Sequence, residues 1–437
     1  MFDNWSWEID GWIIVAGALC AAGAALLGNF LVLRRMSLMG DAISHAVLPG
    51  LAAAFLLTGQ RQGVAMFAGA AIVGVLTVLL TELARHYGRV DEGASIGVVF
   101  TFLFAVGLLM IVQAADRVDL DPGCVLYGAL ETTIVDQVYV LGIGVPRVVV
   151  NLSVVLLLNL VFVVGLYRPL KVSTFDPQLA ASQGTNVAAL HYLLAAFVAV
   201  TAVASFESVG NILVVAMFVV PPAAAWMWTD RLSVMIVLSV AIGVASAFLG
   251  HWGAMQVPRW LGYDFSTNTA GMMAVAAGGL LMFAVFFAPR KGIVSRGIRS
   301  LKLATQIVSE DVLARLYRAE QNGARSLAIA SLHASLHVPN LRARFVFYWL
   351  QWRGLVARSA GELSLADAGR RQAQNIVRSH RLWEQYLASE AGLPEQILHD
   401  GAELLEHFTN RTLRERLLQE MDAPDVDPHG QPIPPEA

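Results

Sequence analysis

The sequence has 437 residues, 56% hydrophobic and 14% charged, with a mean hydropathy of +0.59 and a formal net charge of −3. That balance excludes a soluble globular chain of average composition, in which roughly a quarter of the residues are charged. The small net charge identifies no partner class, and two cysteines, Cys20 and Cys124, without CxxC spacing argue against a disulfide framework or a thiolate metal site.

The opening "MFDNWSWEID" lacks the basic region of a cleavable signal peptide, so the first apolar run is expected to remain in the chain. Nine apolar runs follow, at 12–33, 42–59, 63–84, 95–113, 148–167, 187–206, 210–228, 232–250 and 269–288. Runs of this kind suit a hydrocarbon core roughly 30 Å thick. Lys and Arg in short loops mark the cytoplasmic side. With the N-terminus outside, the inner loops hold Arg34, Arg35, Arg85, Arg89, Arg168, Lys171, Arg231, Arg290 and Lys291. The outer loops hold Arg61, Arg117, Arg147 and Arg259 beside Asp116, Asp119, Asp121 and Asp264. This bias predicts a multi-pass cell-membrane protein whose C-terminal part is cytoplasmic. Within 116–147, "LYGALETTIVDQVYVLGIG" is expected to be a short re-entrant or interfacial element. Small residues in "AAGAALLG", "AGAAIVG" and "AIGVASAFLG" predict close helix packing in lipid.

Between the first two runs lies "MGDAISHAVLPG", which places Asp41 and His45 four apart on one helical face. A carboxylate in a membrane helix costs roughly 2.5–3.5 kcal/mol on insertion scales, so it is expected to face the bundle interior or a water path. Spacing alone leaves two readings open. Carboxylate plus imidazole makes half a shell for Mn²⁺, Fe²⁺ or Zn²⁺; alternatively, Asp41 caps the second span and His45 makes an internal hydrogen bond. Asp41 also falls only six residues past Arg35, near the cytoplasmic face, which a broken or re-entrant first span would reconcile with a role in passage.

The stretch "RRMSLMGDAISHAVLPG" resembles the signature of the membrane subunit of family-3 ABC importers for manganese, zinc or iron. "VSTFDPQLAASQGTN" (172–186) resembles that family's cytoplasmic coupling segment, and "VGNILVVAMFVVPPAAA" (209–225) its late span. The resemblance covers about 12–290. It implies that Asp41 and His45 line or gate the cation path. It also implies an ATP-binding subunit docked on 172–186, a solute-binding protein at the outer face, and a second permease copy or homologue. Asp176, Pro177 and Gly184 would shape the coupling turn and short helix, although "FDP" by itself reads equally as an ordinary turn. A phosphate-cradling loop needs Gly-Lys-Ser/Thr. The three lysines, Lys171, Lys291 and Lys302, none preceded by glycine, exclude one here, so ATP hydrolysis is assigned to a separate subunit and no covalent catalysis to this chain.

After "APRKG" the character changes. An amphipathic helix is predicted over 309–320 with Ser309 as N-cap, then a helix–turn–helix-like pair at 325–336 and 339–353. A small wing follows in "GLVARSAGELSLADAGRRQ", and two helices over 380–407 joined near Gly392–Pro394. The predicted domains are 1–298 (membrane), 299–372 (winged-helix-like) and 373–437 (helical, metal-binding and dimerising). His380 and Glu384 stand at i, i+4, and His399, Glu403, Glu406 and His407 at i, i+4, i+7 and i+8. This donor set suits a hard to borderline divalent ion as well as it suits a solvated charged stripe.

Residues 305–434, closing on "DPHGQPIP", resemble the iron- and manganese-dependent repressor family. That resemblance implies that His380, Glu384, His399, Glu403, Glu406 and His407 are metal ligands. Glu403 stands where the iron-responsive branch has a cysteine, which favours manganese. It further implies Asp311 as a ligand, while Ala314 replaces a second carboxylate. The helix that would read DNA departs from the pattern. "NLRARFVFYWLQWRG" shows Phe345, Val346, Trp349 and Trp352 where hydrogen-bonding side chains are needed. From residue 300 on, 15 Lys+Arg face 17 Asp+Glu, a net of −2. DNA is therefore not an expected partner, and the aromatic face is expected to pack on protein or at the membrane boundary. The expected function is a metal-importer permease with a cytoplasmic metal sensor. The competing reading is a membrane-tethered, metal-dependent transcriptional regulator. A secondary transporter or channel is disfavoured, because no relay of intramembrane carboxylates is visible.

Overall fold

The structure, a computed structural model, describes residues 6–58, 64–89, 91–115, 130–132, 135–140, 143–263, 265–336, 338–389, 391 and 395–437. Arg61, Arg117, Asp116, Asp119, Asp121, Asp264, Cys124 and the joint at 392–394 lie outside the described residues. Two units divide the chain, Met1–Ser295 and Arg296–Ala437.

Unit 1 comprises α1 (Asp10–Leu33), α2 (Ser37–Ala46), α3 (Leu48–Thr58), α4 (Val64–Gly88), α5 (Glu92–Ala115), α6 (Arg147–Gly165), α7 (Tyr167–Phe175), α8 (Pro177–Ser182), α9 (Val187–Val209), α10 (Asn211–Trp228), α11 (Leu232–Trp260) and α12 (Thr269–Phe287). Among the described residues, eight segments are long and apolar enough to cross a membrane, with α2 and α3 counted together. The ninth expected span forms the shorter apolar helix Leu213–Trp228. The "LETTIVDQVYV" region is not a span. It holds a 3-10 turn (Leu130–Thr132) and an antiparallel hairpin, β1 (Gln137–Val140) with β2 (Ile143–Pro146).

α1 is the hub of this unit, packed by α6, α9, α10 and α11. Its run of Ala and Gly explains why. Only small side chains let several helices approach one axis, and a Cβ on Gly28 would collide with the Phe218 carbonyl of α10. Polar groups sealed in the bundle pair across helices: Asn29 donates to Ser239 (2.7 Å) and Asn159 to Thr201 (2.8 Å). The first span runs unbroken. The interruption falls in the second, at Val47, because Pro49 has no N–H to return to the His45 carbonyl. A proline in the first turn of the next helix loses nothing, so α3 restarts at Leu48.

Unit 2 opens on α13 (Ile293–Gln321), continuous through Ser309. Ser309 is therefore not an N-cap. Its hydroxyl donates to the Thr305 carbonyl one turn back (2.6 Å), as a mid-helix serine does. β3 (Leu327–Ala328), α14 (Ile329–Leu336), α15 (Asn340–Trp352), β4 (Val356–Ser359) and β5 (Glu362–Leu365) complete a winged helix with strand order β3-β5-β4. The wing turns at Ala360 and Gly361, both at positive φ, the two-residue geometry that matches strand twist. α16 (Asp367–Ser389), α17 (Glu395–Glu406) and α18 (Arg411–Glu420) follow, and residue 372 falls inside α16. One core joins α13, α14, α15, the wing and α16 through Val312, Leu316, Leu332, Phe347, Leu350, Leu363 and Val377. Val346 belongs to this core. The open side of α15 instead shows Leu341, Phe345, Tyr348 and Trp352.

Candidate metal sites

In α2 the buried side carries Ala42, Ile43 and Ala46, which leaves Asp41 and His45 on the other face. Asp41 Oδ1 and His45 Nε2 lie 3.5 Å apart, with 45% and 28% of their side-chain surfaces open. Phe100 and Phe104 of α5 set their rings 5.5 and 5.9 Å from the imidazole and fix its tilt. Among the described residues, no third His, Cys, Asp or Glu completes a cluster with this pair. Two ligands on an open face hold an ion loosely and leave most of its shell to water or to further groups.

The segment 172–186 forms an elbow. Asp176, in extended conformation, ends α7, and its carboxylate accepts the Leu179 N–H (2.9 Å) to cap α8, with Pro177 as the first helical residue. At the far end Gly184 takes φ +80°, and Thr185 N–H returns to the Ala180 carbonyl, closing α8 by a left-handed cap that favours glycine. Arg34 reaches from the end of α1 to Ser173 and Thr174 (2.9 and 3.2 Å), which ties the elbow to the hub helix. Phe175 and Leu179 are exposed on the elbow.

Unit 2 brings its candidate ligands together from α13, α16, α17 and the C-terminal turn. His380 Nε2, His399 Nδ1 and Glu384 Oε1 form a triangle with sides of 3.0, 3.1 and 3.2 Å. Ligands about 2.1 Å from an ion stand about 3.0 Å apart in an octahedron and about 3.4 Å apart in a tetrahedron. The triangle fits one octahedral face. Glu406 Oε2 lies 2.6 Å from His380 Nδ1, yet the two atoms are off the N–H···O axis. The contact is a close charge pairing of imidazole with carboxylate.

A second cluster holds Asp311, Glu406 and His407, with His407 Nε2 3.3 Å from Asp311 and 3.9 Å from Glu406. Of the residues singled out from the sequence, Asp311, His380, Glu384, His399, Glu406 and His407 are brought together in these two clusters. Glu403 stays outside both clusters and lines a cavity of about 210 Å³ with Asp311, Ala314, Arg315, Arg318, His399 and Glu406.

Three residues escaped the sequence reading. Glu310 sits 2.7 Å from His407 Nδ1; its signal is a carboxylate on the apolar side of α13. Asp427 and His429 join Glu384 in a third cluster, with His429 Nδ1 3.8 Å from Glu384. Their signal is "DPHG", an Asp-anchored turn in which Asp427 accepts the His429 and Gln431 N–H groups.

The electrostatics suit cation binding. Burial would raise the Glu384 carboxyl, but hydrogen bonds and charge from His380 and His399 outweigh it and hold the pKa at about 2. Burial works against a charged His407 too. Hydrogen bonds to Asp311 and Glu310, with the charge of Glu406, push its pKa up to about 10. His380 is also raised, burial being outweighed by Glu384 and Glu406. A divalent ion bound at these rings would displace the protons that the carboxylates favour there.

Comparison with known proteins agrees with this division. Residues 7–288 match the ABC 3 transport family, and residues 366–435 match the iron dependent repressor metal binding and dimerisation domain. The chain is 41% identical over 297 residues to the manganese transport system membrane protein MntD of Bacillus subtilis, covering 68% of this chain and 98% of that one. It is 34% identical over 366 residues to the zinc transport system membrane protein TroD of Treponema pallidum, covering 83% and 97%. Among solved structures, PsaBC from Streptococcus pneumoniae in complex with Fab superposes with a TM-score of 0.54 at 27% identity, covering 64% of this chain and 92% of that one. With a family match over most of its length, apolar helices long enough to cross a membrane and a repressor-like C-terminal domain, the chain is a membrane protein that belongs to the ABC 3 transport family.

Proposed function

We propose that the chain is the permease subunit of an ATP-driven importer of divalent transition-metal cations, with Mn²⁺ ahead of Zn²⁺ and Fe²⁺, and that its cytoplasmic unit senses the imported ion. The observation that carries the reading is the Asp41–His45 pair, held on an open helix face beside the Pro49 break. Asp41 and His45 contact the ion in passage. A separate ATP-binding subunit, which this chain's lysines cannot replace, docks on the elbow shaped by Asp176, Pro177 and Gly184. A solute-binding protein delivers the ion at the outer face, and a second permease copy or homologue completes the pathway. The bias of loop arginines supports a cytoplasmic location for unit 2. There His380, Glu384, His399, Glu406, His407 and Asp311, with Glu403 at the rim, take up the ion after arrival. The octahedral edge lengths and the absence of a thiolate in this donor set support Mn²⁺, since relatives are named for both manganese and zinc. A membrane-tethered transcriptional regulator fits less well, because the exposed face of α15 is aromatic.

The test is ion uptake by the reconstituted complex for Mn²⁺, Zn²⁺ and Fe²⁺, with Asp41→Ala and His45→Ala alongside. Each substitution is expected to lower uptake by about 100-fold, in keeping with the removal of one of very few ligands. Unchanged uptake in both variants overturns the pathway assignment.

A further inference from the structure

A groove of about 1420 Å³ runs between the first half of α13 and the open side of α15. Its apolar lining is unusual for a face open to water. Leu341, Phe345 and Tyr348 line it at i, i+4 and i+7 along α15, and Trp352, outside the groove, extends the same open side at i+11, with Leu341 and Trp352 exposed at 83% and 75%. Ile298 and Leu301 continue the surface on α13. Basic side chains are interleaved with them. Lys302, Arg342, Arg344 and Arg353 line the groove against one carboxylate, Glu310, which is engaged by His407. Arg353 also lies over the Trp349 ring at 4.3 Å and holds it in place.

We propose that this face rests on the anionic headgroups of the membrane that unit 1 spans. Aromatic rings with a polar tip, alternating with long basic side chains, are the composition of a membrane–water interface. The rings enter the headgroup layer and the cations reach its phosphates. Chain length supports the same occupant. Only five residues separate Phe287, the end of the last apolar helix, from Ile293, the start of α13. Five residues reach at most about 18 Å, and Leu301 lies about 12 Å further along the helix. The face is therefore never far from lipid, and its effective concentration at the surface is high. Charge disfavours a second copy, because an isologous contact would set one basic groove against another. Duplex DNA would match the charge but not the four large apolar side chains.

The test uses the full-length chain in vesicles of phosphatidylcholine alone or with 30% phosphatidylglycerol. Cys20 and Cys124 are replaced by serine, and a fluorophore is placed at Tyr348→Cys or, as a control on the wing turn, at Ser359→Cys. The position-348 label is expected to be quenched by nitroxide-bearing lipid and shielded from aqueous iodide in the anionic vesicles. The position-359 label is expected to stay open to iodide. Arg342→Gln with Arg344→Gln is expected to lower the docked-to-undocked ratio by about 25-fold, about fivefold per charge, and Arg→Lys at both sites to restore it. Three outcomes would overturn the proposal. The position-348 label could prove equally open to iodide in every vesicle. Its protection could instead grow with protein concentration in lipid-free detergent, which assigns the face to a second copy. It could also appear only on addition of duplex DNA.

Discussion

Asp41 and His45 come from one short helix, stand 3.5 Å apart and keep 45% and 28% of their side-chain surfaces open. His380 and Glu384 are 5% and 4% open and converge with ligands from α13, α17 and the C-terminal turn. Both sets combine carboxylate with imidazole, and the difference between them is completeness. An ion that must leave is served by few ligands on an accessible face, since every added ligand deepens the well it has to climb out of. An ion that must be counted is served by a buried shell whose charges already oppose one another when it is empty. On the proposed reading, one chain holds both solutions, built from the same two kinds of side chain.

Three changes would break or sharpen this contrast. The largest effect is expected from His380→Ala, which removes the ring that touches both Glu384 and Glu406. Ion retention by the purified full-length chain should weaken by about 100-fold, and uptake should lose its response to preloaded ion. Retention unchanged in equilibrium dialysis would place the sensor elsewhere.

The next effect is pH. The raised His407 pKa means that its protonated form contributes stability fully present below the ordinary 6.5 and lost as pH rises through about 10. An ion needs the neutral ring, so binding and this proton exclude each other. Apparent Mn²⁺ affinity of the full-length chain should rise about tenfold per pH unit for each proton displaced, between pH 6.5 and 8.5. Competition titration read by electron paramagnetic resonance checks this, and a flat profile would mean that the carboxylates, without His407, hold the ion.

The smallest change is Ala314→Glu. Ala314 lines the cavity shared by Asp311, Glu403 and Glu406. A carboxylate there should tighten binding of a second ion by roughly tenfold. Unchanged stoichiometry and affinity in calorimetry would show that the cavity, with Arg315 and Arg318 on its wall, rejects another charge.

Much of this architecture is legible residue by residue. Apolar runs disclose the spans because lipid offers the backbone no hydrogen bonds, so each run must close its own. Asp176-Pro177 and Gly184 disclose the ends of α8 because capping chemistry is local. The start of α13 was not legible. Ser309 reads as an N-cap, whereas its hydroxyl returns to the Thr305 carbonyl within a helix that already begins at Ile293. Val346 illustrates the same limit, since its period fits an exposed reading helix and only the core shows which side faces in.

The sequence by itself determined the two-part plan, the membrane spans, the elbow and the helical spacing of most candidate ligands, because these follow from hydropathy, caps and intervals of three or four residues. Only the tertiary structure decided which carboxylates meet which rings. Glu310 reaches His407 across 97 residues, Asp427 and His429 join Glu384 from the C-terminal turn, and Glu403 stays at a cavity wall. Distances between side chains on separate helices are set by how the helices pack, and no local pattern encodes that.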